Sequence, residues 1–224
     1  MLEATGICKS YKKHMVLNHI DLQAGPGECV GIVGANGCGK TTLLSILAGV
    51  LRADGGKIVL GGKEATGHPA VFASQAAYVP QENPLMEDLS VKDNLLLWYR
   101  GSRVSMKEDL ESGPAAMLGI SGMLKKQAGK LSGGMKKRLS IACALSNHAP
   151  VLILDEPGAA LDLECKEAIR EYLRNYMKQG GTVILTSHEM EELSLCTRIC
   201  ILKDGGLVPA ETGLTSQELI KSMR

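Results

Sequence analysis

Residues 34–41 read GANGCGKT and match the pattern G-x-x-x-x-G-K-[ST]. The apolar run 29–33 precedes them and a helical pattern from Thr41 to Leu47 follows, which is the strand–loop–helix context that the pattern requires. The glycines allow consecutive backbone N–H groups to curl around a phosphate, and the helix start adds positive potential. Lys40 can reach the terminal phosphates of a nucleotide, and the Thr41 hydroxyl can bind Mg²⁺. The segment therefore predicts a phosphate-binding loop rather than a plain Gly-rich turn.

The rest of the chain alternates between strand and helix patterns. The first 30 residues read as short strands, and Val151–Leu154 and Thr182–Thr186 read as buried strands. A helix from Asp162 to about Lys178 lies between the last two, and helical patterns fill the range from about 83 to 147. This alternation predicts an α/β fold with a mainly parallel sheet.

Size and composition are those of a single globular unit. The chain has 224 residues, of which 45% are hydrophobic and 22% charged, so we expect a buried core without disulfide support. The net charge of +1 excludes a strongly basic nucleic-acid-binding protein. No apolar run reaches about 18 residues and no charged leader precedes an apolar run, so we expect neither a membrane span nor a secretory signal.

The seven cysteines contain no C-x-x-C pair, and we interpret them as scattered, reduced thiols. Cys196 and Cys200 are four residues apart and would share one face if that segment were helical. No other candidate metal ligands accompany them.

Two acids follow the buried strand Val151–Leu154. Asp155 and Glu156 stand at its carboxyl end, the edge where parallel sheets bind ligands. Asp155 can hold the Mg²⁺ shell, and Glu156 can polarise an attacking water as general base. Because successive side chains of a strand point to opposite faces, we expect one carboxylate to face the metal and the other the terminal phosphate. The alternative is a strand that ends in a solvated acidic turn.

A second Gly-rich segment, Leu131–Met135, precedes a helix, and we call it the signature segment. Its serine and two glycines leave backbone N–H groups at the helix start, which predicts a second phosphate-binding terminus. Three cations follow in the first turn of this helix, although the helix dipole favours acidic residues there. This local conflict indicates an anionic ligand. The three cations are Lys136, Lys137 and Arg138. A capped helix start without a ligand is the alternative interpretation.

Taken in order, these motifs resemble the ATP-binding subunit of an ABC transporter. The resemblance covers essentially the whole chain and rests on the loop at 34–41, Gln81 in the run YVPQ, the signature segment, the pair Asp155-Glu156, Leu161-Asp162, and His188 after Thr186-Ser187. It implies a P-loop NTPase fold of the ABC type, as one cassette over residues 1–224. An N-terminal antiparallel β-subdomain and an inserted α-helical subdomain at about 83–147 belong to that fold.

Two positions depart from the commonest family pattern. Met135 stands where the family most often has Gln, and Gly158-Ala159-Ala160 replace a more usual start with Thr or Ser. Signatures that read S-G-G-M followed by basic residues resemble those of bacterial exporters of the drug, sodium and polysaccharide type. The resemblance therefore favours export over import.

The resemblance further implies that the protein binds ATP and Mg²⁺ and hydrolyses ATP. Lys40, Glu156 and His188 would be catalytic. Mg²⁺ would be held by Thr41, Gln81 and Asp155. The residues expected to contact the nucleotide are Tyr11, Gly34, Asn36, Gly37, Cys38, Gly39, Lys40, Thr41, Thr42, Gln81, Ser132, Gly133 and Gly134.

Three of these positions, and Asp162, also have plainer interpretations from the residues alone. Tyr11, which would stack on adenine, also reads as a half-buried strand tyrosine. Gln81 reads as a turn residue and His188 as a polar residue at a helix start. Asp162, which would belong to the loop that signals across a dimer, also reads as a helix N-cap.

The resemblance implies two partners and leaves two other functions open. A second cassette, the same or a different chain, would bind head to tail, and a polytopic membrane subunit would dock near Leu85 and Met86. No nucleic acid is expected, and the chain would lie on the cytoplasmic face of the cell membrane. The alternatives are a soluble ABC-type ATPase that acts on ribosomes or DNA, and a regulatory nucleotide-binding module.

Overall fold

The computed structural model describes residues 1–210 and 216–223. The strands are β1 (Leu2–Tyr11), β2 (His14–Ala24), β3 (Cys29–Val33), β4 (Gly55–Leu60), β5 (Lys63–Glu64), β6 (Ala76–Val79), β7 (Val151–Asp155), β8 (Thr182–Thr186), β9 (Arg198–Lys203) and β10 (Gly206–Pro209). The α-helices are α1 (Lys40–Leu47), α2 (Pro69–Gln75), α3 (Val91–Tyr99), α4 (Met106–Ser112), α5 (Pro114–Met117), α6 (Gly133–Ala144), α7 (Leu163–Lys178), α8 (Met190–Leu193) and α9 (Ser216–Met223). Two 3-10 turns cover Ile120–Met123 and Ala128–Lys130.

The strands form two sheets. The first is antiparallel, in the order β2-β1-β4-β5. The second has the order β10-β9-β3-β8-β7-β6, and its pairs are parallel except for the edge pair of β10 with β9. The predicted α/β class, with a mainly parallel core sheet and an N-terminal antiparallel sheet, is confirmed.

The three central strands β3, β8 and β7 are buried along their whole length. Strands covered on both faces read as continuous apolar runs rather than alternating ones, which is why the sequence reveals them clearly. Helix α2 has no buried residue, so it leaves no apolar period in the sequence and was not predicted.

The helix starts follow their capping residues. Ser90 Oγ accepts a hydrogen bond from the Asp93 N–H ahead of α3, and Asp162 Oδ1 accepts one from the Cys165 N–H ahead of α7. Each bond satisfies a backbone donor that the first helical turn leaves free. The interpretation of Asp162 as an N-cap is therefore confirmed.

Helices α3 to α6 lie between strands β6 and β7 in the chain, within the range 83–147 predicted to be helical. Their buried residues, among them Leu95, Ala115 and Leu139, belong to the same apolar cluster as residues of strands β7 and β8. A second cluster joins α1 to the antiparallel sheet.

Two further observations concern the cysteines and the membrane. Cys200 lies in strand β9, so it does not share a helix face with Cys196; instead the Sγ atoms of Cys196 and Cys29 lie 3.6 Å apart. None of the helices in the described part of the chain has both the length and the apolar character needed to cross a membrane.

The parallel sheet gathers the candidate site at one edge. Thr186 at the end of β8 pairs with Asp155 at the end of β7 and with Ile32 near the end of β3. The segments that leave these three strands therefore emerge side by side, at the edge where α/β sheets bind ligands.

Candidate active site

The predicted phosphate loop connects β3 to α1. Its last residue before the helix, Gly39, has a φ of 109°, and Gly37 has a φ of 80°. A side chain at either position would be strained, because L-residues seldom adopt positive φ. The two glycines thus allow the loop to turn tightly onto the helix start.

Lys40 spans this loop from the first turn of α1. Its side chain is 7% exposed, and Nζ donates to the carbonyl oxygen of Gly34 at 2.8 Å and to that of Ala35 at 3.3 Å. A buried ammonium group needs such partners. These bonds hold one positive charge within the loop that carries the backbone donors.

Asp155, the last residue of β7, contacts both α1 and β8. It is 2% exposed, and its carboxylate accepts from Thr41 Oγ1 at 2.7 Å and from Thr186 Oγ1 at 2.6 Å. The hydroxyl of Thr41 and the buried carboxylate of Asp155 fit Mg²⁺, which binds through one or two protein oxygens and completes its shell with phosphate and water.

Glu156 lies in a turn after β7, so the alternation of side chains along a strand does not set its direction. Strand β7 ends at Asp155, and Glu156 has a φ of 48°, in the left-handed region. Its N–H donates to the carbonyl and hydroxyl oxygens of Thr186, at 3.2 and 3.0 Å. The expectation that the two acids diverge because a strand alternates was therefore wrong, since the neighbouring strand β8 fixes the turn.

The Glu156 carboxylate lies between two predicted site residues. Gln81 Nε2 donates to its Oε2 at 3.1 Å, and His188 Nε2 lies 3.4 Å from its Oε1. Gln81 thus bonds to Glu156 rather than to Thr41 or Asp155, the other residues predicted to bind metal. Three separate loops meet at this one carboxylate.

A cavity of about 560 Å³ opens in front of these groups. It is lined by Tyr11, Val16, Asn36, Gly37, Gly39, Lys40, Thr41, Thr42, Gln81, Glu156 and His188. Tyr11 is 48% exposed at the end of β1, with Lys9 Nζ 5.8 Å from its ring centroid. Of the predicted nucleotide contacts, Gly34, Cys38 and the signature residues do not line this cavity, and Cys38 packs against the apolar cluster around α1.

The signature segment lies at the start of α6. Ser132 caps the helix by accepting from the Met135 N–H at 3.3 Å, so one backbone donor of this turn is already used within the chain. Gly133 is exposed, whereas Gly134 is buried against α7, where an added Cβ would overlap the Sγ atom of Cys165. The segment thus packs against α7, apart from the cavity.

The cations after the signature were interpreted as a sign of an anionic ligand, and for two of them this was wrong. Lys136 Nζ pairs with Glu87 Oε1 at 2.6 Å. Lys137 is 3% exposed, and its Nζ donates to the carbonyl oxygens of Pro80 and Gln81 at 3.0 and 2.8 Å. Burial lowers the pKa of Lys137 to about 8, and the negative charges of Asp155 and Glu192 partly oppose this shift.

Sequence reasoning missed two residues of this region. Thr186 bonds both to the Asp155 carboxylate and to the Glu156 N–H, and a polar residue at the end of the strand beside Asp155 was the available signal. Lys137 had no such signal, because its partners are backbone carbonyls 56 and 57 residues away in the chain.

The predicted docking residues lie before α3. Leu85 is partly buried against the main apolar cluster, whereas Met86 is 60% exposed. Leu96, Leu97 and Trp98 on α3 are also exposed, while Leu95 belongs to the core. The segment 85–98 therefore presents several apolar side chains to solvent.

Comparisons with known proteins agree with this geometry. Residues 17–159 match the family described as ABC transporter. A Nod factor export ATP-binding protein I from Paraburkholderia xenovorans (strain LB400) is 36% identical over 207 residues, which cover 91% of this chain and 68% of that protein. The protein of the same name from Rhizobium sp. (strain N33) is 35% identical over 207 residues, with the same two coverages.

Solved structures share the fold. The structure of an ATP-binding subunit of an ABC transporter superposes with a TM-score of 0.89 at 24% identity, over 100% of this chain and 99% of that chain. The dimeric structure of MJ0796, a bacterial ABC transporter cassette, superposes with a TM-score of 0.81 at 26% identity, over 92% of this chain and 96% of that one.

Proposed function

Because this chain belongs to the ABC transporter family and is an ATPase cassette of that family, we propose that it drives a membrane exporter. In this proposal ATP is bound and hydrolysed between two cassettes. The observation that carries it is the meeting of Lys40, Thr41, Gln81, Glu156 and His188 at one cavity, with Asp155 directly behind Thr41. Export is favoured by the names of the relatives, which are export ATP-binding proteins.

The phosphate loop and Lys40 bind the β- and γ-phosphates. The loop contributes backbone N–H groups and Lys40 a fixed positive charge, so the negative charge of the transferred phosphoryl group is stabilised by groups already in place. Thr41 and Asp155 would hold Mg²⁺. Such an ion would supply positive charge beside the phosphate oxygens.

Glu156 is the general base. It takes a proton from water as the water oxygen attacks the γ-phosphorus and the bond to the β-phosphate oxygen breaks. Gln81 and His188, each in contact with one carboxylate oxygen of Glu156, hold the carboxylate in position. Tyr11, at the exposed edge of the cavity, stacks on the adenine ring.

The signature segment acts on the nucleotide of a second cassette. Ser132 and Gly133 are exposed and do not line the cavity of their own chain, so they are available to a phosphate bound elsewhere. A head-to-tail pair brings the signature segment of each chain to the cavity of the other. The dimeric form of the solved cassette supports such a pair.

A membrane subunit binds the exposed apolar group formed by Met86, Leu96, Leu97 and Trp98, with Leu85 at its partly buried edge. Charged residues are depleted and aromatic residues and Met are enriched at protein interfaces, which fits this group. Through that subunit the cassette lies on the cytoplasmic face of the membrane.

The test compares the wild type with Glu156→Gln. ATP turnover should fall by at least about 100-fold, because the general base is lost. Light scattering should show an ATP-dependent dimer that persists in the variant, since ATP is bound but not consumed. Glu111→Gln, which changes an exposed acid on α4, is the matched control and should behave like the wild type.

Two results would contradict the proposal. Full turnover by Glu156→Gln would exclude its role as base. If the wild type hydrolysed ATP while the variant stayed monomeric with ATP, hydrolysis between two cassettes would be excluded, because the assay contains no other cassette.

A further inference from the structure

Lys137 is a buried cation that reaches from the helix of the signature segment to the loop that carries Gln81. It lies in α6, one turn after Gly133, and is 3% exposed. Its Nζ donates to two consecutive carbonyl oxygens, those of Pro80 at 3.0 Å and Gln81 at 2.8 Å. Hydrogen bonds from a charged donor are about twice as strong as neutral ones.

These two bonds fix the backbone from which the Gln81 side chain extends. Strand β6 ends at Val79, so residues 80 and 81 lie outside the sheet. Pro80 has no backbone N–H with which to bond. The Pro80 carbonyl belongs to the peptide before Gln81 and the Gln81 carbonyl to the peptide after it, so the two bonds orient both peptides and with them the Gln81 side chain.

Gln81 in turn contacts the Glu156 carboxylate, with Nε2 at 3.1 Å from Oε2. A displacement of about 1 Å at a reacting group is enough to lower a rate substantially. The chain of contacts from Lys137 to Gln81 to Glu156 therefore links the start of α6 to the reacting groups within one protomer.

We propose that Lys137 is a positioning residue for ATP hydrolysis, which holds the loop at 80–81 so that Gln81 stays beside Glu156. The proposal rests on the role of Glu156 proposed above. It assigns Lys137 no contact with ATP.

The surroundings of Lys137 indicate a functional rather than a stabilising role. The charges of Asp155 and Glu192 act on it, but its burial is costly. Removing the ammonium group of Lys137 recovers the cost of burying a charge, which offsets the loss of its two hydrogen bonds to carbonyl oxygens. Lys137→Met should therefore fold as well as the wild type while it loses the two bonds to the loop.

The experiment measures ATP turnover of Lys137→Met, Lys137→Arg and the control Lys136→Met. Lys136 lies on the same helix but pairs with Glu87. We expect kcat to fall at least about tenfold in Lys137→Met with KM for ATP within about threefold, because positioning rather than binding is lost. Lys137→Arg keeps the charge and donors and should recover part of the loss, and Lys136→Met should stay within about twofold of the wild type.

A double-mutant cycle separates positioning through Gln81 from a general structural effect. In a Gln81→Ala background, Lys137→Met should lower kcat by less than about twofold, because the residue it positions is gone. A further tenfold loss in that background would overturn the proposal. So would a Lys137→Met protein that fails to fold or that loses stability in step with turnover.

Hydrogen exchange in the absence of nucleotide provides a readout that does not depend on hydrolysis. The peptide spanning residues 79–85 should exchange faster in Lys137→Met than in the wild type and in Lys136→Met. Equal exchange in all three would overturn the proposal. If the wild type showed no turnover but exchange changed as expected, the proposed function would fail while the link from Lys137 to the loop would stand.

Discussion

The catalytic region and the signature segment are built in opposite ways. The catalytic region consists of residues from four separate parts of the chain, namely Lys40, Thr41, Gln81, Asp155, Glu156, Thr186 and His188. All of them except Lys40 make side-chain contacts of 2.6–3.4 Å with one another at the carboxyl edge of the sheet. The signature segment is one helix turn, capped by its own serine and packed against α7.

In the proposed function, this difference explains how one chain can hold two phosphate-binding surfaces without using both on one nucleotide. The first surface has the charge of Lys40, the oxygens of Thr41 and Asp155 and the proposed base Glu156, and it lies at a cavity. The second offers mainly backbone donors and an exposed glycine, so it has little to do unless another molecule brings a phosphate to it. A two-fold pair of chains satisfies both surfaces at once.

The largest effect should come from removing the charge of the catalytic region. Lys40→Ala deletes the ammonium group that spans the phosphate loop, so ATP turnover should fall by at least about 100-fold and ATP affinity should fall with it. Turnover and equilibrium ATP binding measure the two effects. Lys57→Ala, which removes an exposed lysine paired with Glu64, is the control and should change neither. Turnover within tenfold of the wild type would show that the loop backbone suffices without Lys40.

A mixing experiment tests whether the two surfaces belong to different chains. Gly133→Asp places a carboxylate at the exposed signature glycine, where an acid suits the helix start but repels phosphate. Gly133→Asp and Lys40→Ala should each be inactive alone. Mixed in equal amounts, they should recover up to about a quarter of wild-type turnover, because half of the pairs contain one intact composite site.

No recovery in the mixture, with both proteins folded and exchanging partners, would mean that the two surfaces act within one chain. An equal mixture of Lys40→Ala and Lys57→Ala serves as reference, since it contains intact signature segments throughout.

Substitutions at the two signature glycines should differ in their effect on the stability of the protein. An added Cβ would overlap Cys165 Sγ at Gly134, whereas at Gly133 it would lie 3.7 Å from the Leu161 side chain, an ordinary contact. Gly134→Ala should therefore destabilise the protein by about 1–3 kcal/mol, and Gly133→Ala by less than about 0.5 kcal/mol. Urea unfolding measures both. Equal stability of the two variants would show that the contact of α6 with α7 is easily adjusted.

Many features of the two regions can be predicted from the sequence. The buried strands, the loop at 34–41 and the caps Ser90 and Asp162 carry local signals, because each depends on residues close together in the chain. The α/β class follows from them. The residues of the catalytic region also carry local motifs, which is why the sequence nominates all of them except Thr186.

What the sequence does not reveal depends on contacts across the fold. The direction of Glu156 is set by a left-handed turn bonded to β8, and the role of Lys137 depends on carbonyls of a distant loop. The pair Cys29 and Cys196 joins positions 167 residues apart. No local period or motif records such contacts, so pattern reasoning predicted a strand alternation for Glu156 and an anion contact for Lys137 instead.

The smallest effect concerns a buried acid behind the catalytic region, Glu192, which is held close to Gly158 by the tight packing of that loop. Burial raises its pKa, and a hydrogen bond with Ser187 opposes the shift. Between the ordinary carboxyl pKa and the raised one, the folded state binds more protons than the unfolded state, so stability falls as pH rises through that window. Glu192→Gln should therefore raise the melting temperature at neutral pH by a few degrees at most.

This gain should shrink as the pH falls towards the ordinary pKa of a glutamate, because the wild-type carboxyl group is then protonated in both states. Glu191→Gln, an exposed neighbour on α8, is the control and should show no such pH dependence. The test measures the melting temperatures of the wild type, Glu192→Gln and Glu191→Gln between the ordinary carboxyl pKa and neutral pH. A gain that stays constant with pH would mean that folding does not shift the pKa of Glu192. In that case the ionisation of Glu192, behind the catalytic region, would not cost stability on folding.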